Sequence, residues 1–158
     1  MIGCRQPAGH PLHPAIAHFP VAFWIVAPAA DVTAAGLGEP FAARLAGWAL
    51  AAGTGTGVIA MLAGAADYAR IPRGHAGSDT AAAHMLAMGS AWVLFATALA
   101  LRGAPARADV PLSVVAIELV GAAVLLVGAG LGGSLVYRRG IGTRPPQAPA
   151  QPGASRSR

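Results

Sequence analysis

Residues 112–137 read LSVVAIELVGAAVLLVGAGLGGSLVY, from Leu112 to Tyr137, and Glu118 is the one charged side chain along the stretch. As a helix rising about 1.5 Å per residue it would extend roughly 39 Å, more than the ~30 Å hydrocarbon core of a bilayer. Lipid offers no partner to a bare backbone N–H or C=O, and a helix satisfies both within itself. A run this long and apolar all round therefore reads as a membrane span.

Upstream, three further stretches have the same character: Pro14 to Ala35, Ala43 to Ala66 and Thr80 to Leu101. The composition agrees. Hydrophobic residues make up 55% of the 158-residue chain and charged residues only 11%, where a soluble domain carries about a quarter charged. The fold expected is all-α, an integral membrane four-helix bundle. Helix punctuation supports these limits. Pro14 suits a first helical turn, Gly36 and Gly38 stop the first span, Glu39-Pro40 opens the second, Ser78-Asp79 can cap the third, and Asp109 before Pro111 can cap the fourth. Pro20 and Pro28 free the carbonyls of Ile16 and Trp24, and a bend there would make room beside His18.

Four crossings put both termini on one face. That face holds Arg5, Arg70, Arg73, Arg138, Arg139, Arg144, Arg156 and Arg158, against Arg44, Arg102 and Arg107 on the other. The positive-inside bias makes the first face cytoplasmic, giving an N-in, C-in protein of a bacterial inner membrane. The chain divides into an N-terminal cytoplasmic segment (1–12), the four-span domain (13–142) and a Pro- and Arg-containing tail (143–158) with no apolar period to bury, expected to be disordered near anionic headgroups. Membrane lipids are thus the first expected partners. The basic balance, net charge +5, serves orientation, and no nucleic-acid partner is expected. Cys4, the lone cysteine, excludes an internal disulfide and a Cys-x-x-Cys-His haem attachment, and no cleavable signal segment is expected.

Gly53, Gly57, Ala60 and Gly64 recur at helix-packing spacing in the second span, and Gly121, Gly128 and Gly132 do so in the fourth. Such stripes let helix backbones approach in lipid and imply a tight bundle without chemistry of their own. No internal repeat stands out, and no nucleotide or metalloprotease motif is present.

Ionisable residues inside a span are costly and point to sites. His18 lies four residues after Pro14 and His84 four after Thr80, so both imidazoles are expected about 6 Å along parallel helices, at matched depth. Asp67 and Arg70 close the second span at the same end, and Tyr137 closes the fourth. His10, His13 and His75 are expected at headgroup level. At the opposite end Asp31 and Glu118 lie near Arg44 and Arg102, where ion pairing is expected.

The run from Gly9 to Pro20 (GHPLHPAIAHFP), then Gly64-Ala65-Ala66-Asp67, His84 and Gly132-Gly133-Ser134-Leu135-Val136-Tyr137, together resemble the bacterial four-helix membrane family catalogued as domain of unknown function 2231, over roughly Gly9 to Thr143. The resemblance implies the fold, the membrane location and importance for His18 and His84, and it names no reaction. After the final Tyr that family often has a His before Gly, where this chain has Arg138-Arg139-Gly140. The architecture is also similar to four-helix b-type cytochromes.

Three readings follow. In the leading one, His18 and His84 ligate haem b axially for electron transfer to a redox partner, with Arg70 and Tyr137 beside the cofactor. In the second, His18, His84 and Asp67 hold a non-haem metal or relay protons. In the third, the polar residues fix helix register in a non-catalytic subunit of a membrane complex. No enzyme class is assigned.

Overall fold

The computed structural model describes residues 12–72 and 74–141. Among them the chain forms four helices, α1 (Leu12–Leu37), α2 (Pro40–Tyr68), α3 (Ser78–Arg102) and α4 (Leu112–Tyr137), each long and apolar enough to cross a membrane. The N-terminal segment and the tail of the sequence reading lie outside the described residues, apart from Leu12, the first residue of α1.

Local signals set the ends. Gly38 and Gly103 take positive φ, +68° and +81°, just past α1 and α3, where an L side chain would be strained. Pro40 sits in the first turn of α2 behind an extended Glu39. Two of the expected caps differ. Gly77, and not a Ser78-Asp79 side chain, precedes α3, and Pro111 precedes α4. Asp109 is instead held by Arg107, whose Nε and Nη2 donate to its carboxylate at 3.0 and 2.7 Å. These bonds hold the Asp109 carboxyl below the ordinary aspartate range.

Helices α1 and α2 pack closely as one hairpin and α3 and α4 as another, while α2 meets α3 and α1 meets α4 over less surface. That leaves α1 and α3 diagonal and parallel, and their side chains meet on the bundle axis in three layers. His13 faces His84, with ring centroids 6.2 Å apart. Trp24 stacks on Phe95 at 4.9 Å, with ring planes 7° apart. Asp31 Oδ2 accepts from Arg102 Nη1 at 2.6 Å, both side chains fully buried. About 27 Å separates the first layer from the third along each helix at 1.5 Å per residue, so the two polar layers sit towards opposite faces of a bilayer.

Asp31 and Arg102 are 71 residues apart, and so are the partners in the other two layers. Helices α2 and α4 answer with their own constant offset: Gly53 and Gly121, Ala60 and Gly128, Gly64 and Gly132 hold equivalent places. The two hairpins are therefore equivalent halves, a repeat that the sequence reading did not find. It is hidden because two of the three axial pairs differ in residue type.

The small residues do more than bring backbones together. Each makes a seat for an axial side chain: Gly53 and Gly57 for Trp24, Gly121 for Phe95, Gly64 for His13, Gly132 for His84, and Gly47 for Arg102. In lipid, where burying apolar surface gains little, these close contacts supply dispersion energy. Trp92 Nε1 ties the halves by donating to the Thr54 carbonyl at 3.0 Å. Thr56 and Thr97 bond back within their helices, donating to the carbonyls of Ala52 and Val93, whereas the Thr54 hydroxyl is buried with no partner among the described residues. Phe19, Trp48, Leu62, Leu86, Leu126 and Val127 face outward, the surface a bilayer would cover.

Candidate functional site

The first axial layer is the candidate site. His13 lies in the first turn of α1 and His84 in the second turn of α3, both half-buried. The Nδ1 of His13 is 2.9 Å from the Ala60 carbonyl and that of His84 is 2.8 Å from the Gly128 carbonyl. A carbonyl only accepts, so each Nδ1 is the donor, and in a neutral imidazole that leaves the Nε2 lone pair for a ligand.

The backbone explains why those carbonyls are reachable. In a helix the carbonyl of residue i is bonded to the N–H of residue i+4, and a side chain there would crowd its second lone pair. Ala60 is followed four residues later by Gly64, and Gly128 by Gly132. A Cβ at either glycine would stand 3.0 Å from Cε1 of the histidine concerned. Two half-sites are thus built in the same way, one in each hairpin, and the rings meet edge to face at 76°.

Of the residues expected here, His84 is in place. His18 is not: five residues after His13 it lies about 140° further around α1, and it is exposed. Its place opposite His84 belongs to His13, which the sequence reading set at headgroup level. Asp67 also does not join the histidines. It accepts from Arg70 at 2.9 Å in an exposed i,i+3 pair. Tyr137 is 90% exposed and faces away. The metal set of His18, His84 and Asp67 is therefore not assembled, and no cluster of three or more His, Cys, Asp or Glu occurs among the described residues. His75 accepts from the Gly77 N–H in the α2–α3 loop. His10 lies outside the described residues. The missed signal was spacing: His13, Trp24 and Asp31 repeat the intervals of His84, Phe95 and Arg102.

The third layer also departs from expectation. Arg102, fully buried, takes Asp31, the Ala43 carbonyl and the Arg107 carbonyl, whereas Arg44 is exposed and unused. Glu118 is buried beside this pair, and neither of its oxygens has a hydrogen-bond partner among the described residues.

A family model described as Predicted membrane protein (DUF2231) matches residues 9–145. No curated protein and no solved structure matches the chain.

Proposed function

Because the chain belongs to the DUF2231 family of predicted membrane proteins, whose description names no activity, we propose from the site itself that it holds haem b between His13 and His84 and passes electrons within a bacterial inner membrane. The observation that carries this is the pair of imidazoles at one depth, each fixed by Nδ1–H to a helix carbonyl.

The donor set favours a macrocycle over a bare ion. An ordinary zinc or iron site takes three or four protein ligands, and among the described residues two histidines meet here. A haem would need few protein ligands, and His13 and His84 are the side chains that would hold it. Its iron would supply one-electron chemistry. The chain's part is to fix ring orientation, to keep Nε2 unprotonated and to provide the less closely packed seam between the hairpins. Arg70, Arg138 and Arg139 stand at the same end, where they can pair with propionates. Their charge also supports placing this end on the cytoplasmic side, with both termini inside.

Haem titration of the detergent-purified chain tests the reading. One haem per chain is expected for wild type and His18→Ala, and a loss of at least about tenfold in affinity for His13→Ala and for His84→Ala, since each removes one of the two imidazoles that would hold it. Wild-type protein that takes up no haem, or equal uptake by all three variants, contradicts it.

A further inference from the structure

Glu118 is the one charged side chain of the core that the axial layers do not require. Asp31 and Arg102 already neutralise each other, and the equivalent place on α2 is filled by Leu50, fully buried. The packing slot therefore accepts an apolar side chain, yet α4 fills it with a carboxyl that has no donor.

The charge count decides what such a carboxyl does. With both acids ionised, one guanidinium would face two carboxylates in a fully buried layer, leaving a net negative charge with a high desolvation cost. Burial of an unbalanced charge is normally avoided by taking up a proton. The acceptor for that proton's hydrogen bond is at hand: Asp31 uses Oδ2 for Arg102, while its Oδ1 is buried and unpartnered among the described residues.

We propose that Asp31, Glu118 and Arg102 form a proton-binding site, in which the two carboxyls share one exchangeable proton. In the loaded state the Glu118 O–H points to Asp31 Oδ1. On release that O–H bond breaks, its electron pair stays on the carboxylate oxygen, and the proton passes to water; nothing is oxidised or reduced. The charged groups facing Glu118 are Asp31 from α1 and Arg102 from α3. Helix α2 contributes only the Ala43 carbonyl that holds Arg102, and Arg44 is exposed.

The α3–α4 connection covers this layer. The Arg107 carbonyl accepts from Arg102 at 3.2 Å, and the Pro105 carbonyl lies against Gly47. Of the two aqueous phases, the nearer for proton exchange is the one on the side opposite the histidines.

Infrared spectroscopy of the full chain in liposomes at neutral pH reads the site directly. Wild type should show a carboxylic-acid C=O band, equivalent to one acid per chain, that shifts in D₂O. Glu118→Gln should lose it. Asp31→Asn should lose it too, because the remaining carboxyl then pairs with Arg102 as a carboxylate. Helix content by circular dichroism identifies a variant that has not folded, and the other variant then decides. Absence of the band in wild type, or its survival in either folded variant, overturns the proposal. The result is independent of haem.

Discussion

Arg102→Met is expected to lower stability by about 3–5 kcal/mol, the cost of leaving the buried Asp31 carboxylate without its cation. Arg102 is 0% exposed, and it alone bonds Asp31, the Ala43 carbonyl of α2 and the Arg107 carbonyl of the following loop. Its loss removes an ion pair and two backbone contacts together. The companion triple variant, Arg102→Met with Asp31→Leu and Glu118→Leu, should recover most of the loss, since a fully apolar layer leaves no charge to solvate. Titration of helix content with SDS in mixed micelles measures both. A single variant within about 0.5 kcal/mol of wild type, the usual range for a neutral surface change, would remove the buried ion layer from this account.

The second large effect concerns the aromatic layer. Gly53→Ala would put Cβ 2.7 Å from Trp24 Cδ1 and 3.1 Å from Phe23 Cβ. Trp24 has no room to withdraw, being 1% exposed and stacked on Phe95 across the axis. Overpacking of this kind costs about 1–3 kcal/mol. Gly55→Ala, two residues along the same helix, meets nothing within 4 Å. It should instead stabilise by about 0.4–1 kcal/mol through the lower entropy of the unfolded chain. The same SDS titration compares them, and effects of one sign at both positions would contradict the seating of Trp24.

The spans were legible because length and apolarity suffice to define them. Leu112–Tyr137 coincides with α4, and the other three differ from their helices only at the ends. One such difference mattered. Pro14 was read as the start of α1 because its missing N–H is harmless in a first turn. The whole first turn tolerates that loss, and α1 begins at Leu12, which brings His13 inside the helix. His84 lies on the axis, but the equal depth expected for His18 does not hold: His13 is level with His84, and His18, five residues on, sits about 7.5 Å deeper and about 140° further around α1.

Which arginine would reach Asp31 was likewise not readable, because Arg44 and Arg102 lie at the same level and only helix rotation separates them. The halves escaped notice for a related reason. Trp24 corresponds to Phe95 and Asp31 to Arg102, pairs alike in place and in partner but not in identity. Glycines 53, 64, 121 and 132 were rightly read as packing residues. What they pack against, the axial side chains, emerges only once the diagonal contact of α1 with α3 is known.

Low-temperature electron paramagnetic resonance of the ferric, haem-loaded protein tests most directly whether His13 and His84 act as one site. If both imidazoles held the iron, the ferric spectrum would be low-spin. That signal is expected in wild type and in His18→Ala, and absent in His13→Ala and His84→Ala. A high-spin signal in wild type, or a low-spin signal that persists without His13, would contradict the pairing.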